Sequence, residues 1–139
     1  MKNVSKNLKF KKIKKGSLKM FSFKNNILKF GSIGLKANQS GIVNLKQLES
    51  ARQIITKNTK KKVKIWVKLF FNLSITIKPL GTRMGKGKGK INYWASRVSK
   101  GNIIFEVSGS NKKKIINSLI YCKKKLPIKT KICYKKKFD

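Results

Sequence analysis

Between Leu45 and Asn58, residues Leu45, Leu48, Ala51 and Ile55 recur three or four positions apart, the spacing that gathers apolar side chains on one helix face. Asn44 stands just before this stripe, where its side-chain oxygen can take a free amide of the first turn, and Gln47 three residues on can complete a capping box. The spacing predicts a helix from about Leu45 to Asn58, with Glu49 and Arg52 as a surface pair. Such a pair contributes only about 0.2–0.5 kcal/mol, which fits a structural role.

The period then changes to two. Val63, Ile65, Val67 and Leu69 alternate with Lys64, Trp66, Lys68 and Phe70, predicting a half-buried strand, and a second strand runs from Ser74 to Ile77 until Pro79 stops it. Tyr93–Val98 and Asn102–Val107 read as a hairpin around Lys100 and Gly101. Ser110 is placed to cap a second helix in which Ile115, Ile116, Leu119 and Ile120 face inward while Lys112, Lys113, Lys123 and Lys124 face outward. Pro127 marks its end, and Ile128 to Tyr134 alternates as a last strand. Two helices packed on antiparallel sheet make the fold class α+β.

Two stretches follow neither period. Residues 1–29 mix lysine and asparagine with scattered Leu8, Phe10, Ile13, Leu18, Met20, Phe21 and Phe23, which predicts a basic N-terminal arm with short strands ahead of one domain over 30–139. Gly81 to Lys90 reads GTRMGKGKGK. Glycines alternating with lysines let backbone amides approach a phosphate closely, so the surrounding loop, 78–92, is a candidate nucleic-acid contact; it matches neither the Walker A pattern nor G-x-G-x-x-G.

Charge decides the kind of partner. The chain carries 37 Lys+Arg against 3 Asp+Glu and no histidine, a formal net charge of +34 on 139 residues. A domain of this length is only about 30 Å across, so its cations repel unless a polyanion neutralises them, and nucleic acid presents the densest phosphate array. The longest uncharged stretches, such as Leu69 to Ile77, fall well short of the roughly 20 apolar residues of a membrane span. Hydrophobic residues make up 40% of the chain, enough for a folded core rather than a disordered basic tail.

The chemistry of catalysis is sparse. Only Glu49, Glu106 and Asp139 are carboxylates, Glu106 lies within a strand pattern, and without histidine a Ser or Cys nucleophile lacks its usual base. Cys122 and Cys133 form no CxxC pair and have no companion ligands, so they read as unpaired, partly buried thiols; no metal or other cofactor is expected, and the chain reads as a non-enzyme.

The sequence also carries a resemblance. FGSIGLKA (Phe30 to Ala37), KIWVKLF (Lys64 to Phe70), KPLGTRMGKGKG (Lys78 to Gly89), YWASRVSKGNIIFEVSG (Tyr93 to Gly109) and LPIKT (Leu126 to Thr130) resemble the bacterial and organellar large-subunit ribosomal protein L-sixteen family, in that family's order and spacing. KFKKIKKG (Lys9 to Gly16) and LKQLESAR (Leu45 to Arg52) extend the likeness over nearly the whole chain. The resemblance implies an α+β fold of the hammerhead type and a structural place on large-subunit rRNA, near the A-site cleft and the peptidyl-transferase region. Its implied partners are that rRNA, neighbouring large-subunit ribosomal proteins and the tRNA acceptor arm.

On this resemblance, the rRNA-binding candidates are Lys9, Lys11, Lys12, Lys14, Lys15, Lys36, Arg52, Lys64 and Lys68. The tRNA-facing candidates are Thr82, Arg83, Met84, Gly85, Lys86, Gly87, Lys88 and Gly89, where Arg83 can fork onto phosphate. Lys11 and Lys14 stand where the family's arm usually has Arg and His, which keeps phosphate attraction without the bidentate and stacking geometry of those residues.

Lysine outnumbers arginine 34 to 3, and Asn, Ile and Phe abound, as AT-rich coding produces. With the divergent arm and an opening unlike an Arg- and Ser-rich transit peptide, this ranks a mitochondrial origin first, a plastid second and an AT-rich bacterium third. A general nucleic-acid compactor would explain the charge equally well, but not the ordered motifs.

Overall fold

A computed structural model of the chain describes residues 10–18, 21–85 and 87–135. Its elements are β1 (Ile33–Ala37), β2 (Gly41–Asn44), α1 (Leu45–Asn58), β3 (Lys64–Val67), β4 (Leu73–Ile77), β5 (Lys90–Val98), β6 (Ile103–Ser108), α2 (Lys112–Lys123) and β7 (Thr130–Tyr134). The class is α+β, as the alternating periods imply, but the strands divide into two antiparallel sheets. One has four strands in the order β3-β6-β1-β7, the other three in the order β2-β5-β4.

α1 begins where its capping residues place it. The Asn44 side chain accepts from the Lys46 amide and Gln47 returns a bond to the Asn44 amide at 2.9 Å, satisfying donors that the first helical turn leaves free. Leu48, Ala51 and Ile55 are the buried stripe. They join Ile33, Leu35, Val43, Phe71, Ile104, Phe105, Val107, Ile115 and Leu119 in a single core between the helices and the sheets. In β3, Ile65 and Val67 face that core while Lys64 and Trp66 point away, the alternation read from the sequence.

Several expectations are corrected. β5 and β6 do not pair as a hairpin: β5 lies between β2 and β4, and β6 lies between β1 and β3. The turn joining them is tied instead to the end of β1, because the Gly101 amide donates to the Ala37 carbonyl and the Ala37 amide to the Asn102 carbonyl, both at 2.8 Å. That turn carries the chain from one sheet to the other. The α2 cap is Asn111 rather than Ser110, its side chain accepting from the Lys114 amide at 3.0 Å.

On α2 the buried face is Ile115, Ser118, Leu119 and Cys122, while Ile120 is 45% exposed. Ile120 lies five residues past Ile115, about 140° round the helix axis, whereas Cys122 returns to within about 20° of it. Within the arm, the described residues contain no strand beyond a single bridge between Phe21 and Lys100. The strand expected from Val63 is ladder-bonded only over Lys64–Val67, and the last strand starts at Thr130, with Ile128 buried ahead of it.

Candidate nucleic-acid interface

The candidate lysines fall into two groups. Lys11, Lys12, Lys14 and Lys15 are exposed along the arm, and Lys64 is exposed on β3, an edge strand of its sheet. Lys36, Arg52 and Lys68 are half-buried and already engaged: Lys36 Nζ with the Asn26 carbonyl at 3.4 Å, Arg52 with Glu49 at 2.6 Å, and Lys68 Nζ with Glu106 at 3.8 Å. The Arg52 hydrogen bond holds the Glu49 carboxyl below its usual range. Lys9 and Lys86 lie outside the described residues.

The finger between β4 and β5 stands clear of the body. Thr82, Arg83, Met84, Gly85, Gly87 and Lys88 are all exposed, with Gly89 half-buried at the base. Gly81, Gly85 and Gly87 have φ of +77°, +96° and +74° and no neighbouring atom within 4 Å of an added Cβ, so glycine is required there by backbone conformation rather than by space. Gly89 differs, since a Cβ would come to 2.3 Å from the Ile77 carbonyl oxygen across the start of the β4–β5 ladder. Lys78 Nζ donates to the Gly85 carbonyl at 2.8 Å, holding the finger's two sides together.

Arm and finger are clasped to each other. Lys12 Nζ donates to the Lys88 carbonyl at 2.9 Å, and Lys88 Nζ donates to the Ile13 carbonyl at 2.6 Å. Arg97 on β5 adds bonds to the Lys14 and Lys15 carbonyls. The arm is therefore held against the finger at Lys12 and Ile13 and against β5 at Lys14 and Lys15, which joins the exposed Lys11, Lys14 and Lys15 to the finger in one basic surface.

A second arrangement was not anticipated. Register aligns Trp66, Glu106, Gly34 and Cys133 across the four strands of the larger sheet, on the face away from the core. The end of the arm lies over this row. A Cβ on Gly34 would meet Leu28 at 2.4 Å, and one on Gly31 would meet the Val107 backbone at 2.7 Å, so two glycines permit the close approach.

Glu106, fully buried beneath, accepts with Oε2 from the amides of Lys29, Phe30 and Gly31 at 3.1, 2.7 and 2.9 Å. Phe30 is thus fixed over the sheet, its ring stacked on Trp66 at 6.0 Å between centroids and 24° between planes, with Lys68 Nζ 4.8 Å from its centroid. The sequence signal was present, a lone acid inside a strand of a chain with three, but the amides that it binds lie more than seventy residues away.

Among the described residues no three His, Cys, Asp or Glu side chains gather as metal ligands, and no helix is long and apolar enough to cross a membrane. A lysine-bearing arm and a glycine-jointed finger on an α+β body together offer the positive charge and backbone freedom that suit contact with phosphates. The family model described as Ribosomal protein L16p/L10e matches residues 5–133, and the chain belongs to that family. Membership makes it a structural protein of the large ribosomal subunit, working in translation within a ribonucleoprotein whose rRNA and other ribosomal proteins are its partners.

Proposed function

We propose that this protein binds large-subunit rRNA beside the A-site cleft and the peptidyl-transferase region, and that its finger, residues 78–92, faces the tRNA acceptor arm. The clasp between arm and finger is the observation that carries the reading, because it joins the segment best suited to rRNA phosphates to the segment best suited to tRNA. Lys9, Lys11, Lys12, Lys14 and Lys15 supply the arm's phosphate contacts, with Lys64 on the edge strand of the larger sheet and Lys36, Arg52 and Lys68 as secondary contacts.

Arg83 offers a planar fork to a phosphate, and Thr82, Lys86 and Lys88 extend the contact. Met84, Gly85, Gly87 and Gly89 complete the finger. Its role is to hold tRNA in place, with no chemical step of its own. The lysine bias and the altered arm favour a mitochondrial ribosome as its location.

The protein should co-sediment almost wholly with large subunits in high-magnesium gradients. Arg83→Gln with Lys86→Gln should impair tRNA binding to those subunits while leaving assembly near normal. Equal loss of assembly and tRNA binding would refute the finger's role, and a predominantly free or DNA-bound pool would refute the ribosomal placement.

A further inference from the structure

The outer face of the larger sheet presents an aromatic surface that neither the arm nor the finger accounts for. Phe30 is 59% exposed, although its backbone is anchored through three consecutive amides at positions 29–31 to one buried carboxylate. An exposed phenylalanine on an anchored backbone is unlike one trailing from a loose loop, because less conformational entropy is lost when something stacks on it. Trp66 backs it from β3, so two rings lie nearly parallel.

Around these rings the chemistry is cationic. Lys68 Nζ sits over the Phe30 ring, and Lys29 and Lys64 are exposed on either side in sequence, each next to or two residues from a ring of the pair. Glu106, the carboxylate in the cluster, is buried, with Oε2 taking three backbone amides and Oε1 3.8 Å from Lys68 Nζ, so Lys68 offsets its charge toward the surface. An exposed aromatic pair with Lys68 over one ring and Lys29 and Lys64 exposed beside it suits a nucleobase whose own phosphate meets the lysines. It suits a protein partner less, since a protein would have to bring acidic side chains to three lysines and apolar ones to the rings at once.

We propose that Phe30 and Trp66 form a stacking platform for an unpaired nucleotide of ribosomal RNA, with Lys29, Lys64 and Lys68 taking the adjoining phosphates. This rests on the family's rRNA-binding role and adds to it a base-stacking contact distinct from the arm's exposed Lys11, Lys12, Lys14 and Lys15 and from the finger. A base in a duplex has both faces covered, so the platform selects a looped-out or single-stranded residue. Glu106 and Gly31 act as positioning residues, fixing the height of the Phe30 ring above the sheet.

The test uses intact large subunits and the full chain. Ultraviolet irradiation of the particles, followed by nuclease and trypsin, should leave nucleotide adducts on the peptides 30–36 and 65–68. In solution, Phe30→Ala should weaken binding to a single-stranded RNA by about tenfold, the loss expected for one stacked base, with little change for a duplex of equal phosphate number. Phe30→Tyr should restore it, and the salt dependence should stay unchanged because no phosphate contact is removed. Lys64→Ala should instead reduce the salt slope.

Adducts on the arm and finger but none on these two peptides would overturn the proposal, as would crosslinks from the platform to a neighbouring protein alone. So would an equal effect of Phe30→Ala on single-stranded and duplex RNA. Presence of the chain in the particle is scored separately, so failure of the platform is distinguishable from failure of the ribosomal placement. Phe30→Ala keeps the backbone amide that Glu106 binds, and an unchanged thermal midpoint verifies that the variant is folded.

Discussion

Arg97 donates from Nη2 to the carbonyl oxygen of Lys14 at 2.7 Å and from Nε to that of Lys15 at 3.0 Å. One guanidinium thereby fastens two successive peptide units of the arm to β5. Its position decides how two distant parts of the basic surface are arranged: β5 is also the strand into which the finger returns, so the arm and the finger share a single support. Gly16 follows with φ +64°, turning the chain away directly after the fork.

Removing the fork should free the arm without unfolding the domain. Arg97→Ala should raise the rate of tryptic cleavage after Lys14 and Lys15 by about tenfold, as loss of a charge-assisted pair of hydrogen bonds on a partly solvated surface predicts. Arg97→Lys keeps the charge but cannot span both carbonyls, so it should recover only part of the protection. Cleavage unchanged in Arg97→Ala would show that the arm is held by something else.

Glu106 should be among the costliest side chains to remove. Glu106→Ala leaves three amides facing a buried space with no acceptor and strips Lys68 of its partner, a loss on the order of 3–5 kcal/mol in denaturant unfolding. Glu106→Gln keeps an accepting oxygen and should cost less, about 1–2 kcal/mol. If the two variants were equally destabilised, the charge rather than the oxygen's position would be what the amides require.

Gly101 illustrates two requirements at one site. Its φ is +94°, and an added Cβ would lie 2.8 Å from Phe21 Cζ. Gly101→Ala should therefore cost about 1–3 kcal/mol, from backbone strain together with displacement of the ring. In the Phe21→Ala background the ring term vanishes, leaving the strain and the 3.1 Å approach to the Ser22 carbonyl oxygen, so a double-mutant cycle should show coupling between the two positions. Strict additivity would mean that Phe21 moves aside freely.

How far the sequence discloses this fold depends on how local each cause is. The capping box of Asn44 and Gln47 and the stripe Leu48, Ala51 and Ile55 act within one helix, and both are legible from spacing alone. The expected hairpin failed because a turn sequence reports that the chain bends, not which strands it then joins; the Ala37 backbone decides that. β1 escaped notice because it is central, with Ile33, Gly34, Leu35 and Ala37 all buried, so no inside-outside alternation marks it. For the site, the arm and finger were visible as charge and glycine patterns. The Phe30–Trp66 pair was not, since it depends on a register between strands and on a carboxylate contributed by a third segment.

Cys122 provides a pH test of the core. Burial on the inner face of α2 pushes its thiol up to about 12, while Cys133, half-buried on β7, is raised by burial as well. Because the thiolate is the reactive form, Cys122 in the folded protein should resist iodoacetamide at pH 8 until the chain unfolds, with Cys133 modified first. The linkage follows in sign. Below about pH 9 the thiol is protonated in both states and its contribution is complete; above it the unfolded chain releases a proton that the folded chain keeps, so stability falls until the pH passes about 12.

Between those limits the difference in unfolding free energy between the native chain and Cys122→Ala should shrink by up to about 1.4 kcal/mol per pH unit. Taking the difference cancels the titration of lysines and tyrosines common to both proteins. A difference that stays flat from pH 8 to 10.5, or alkylation of Cys122 as fast as that of Cys133, would mean that water reaches this face of the helix.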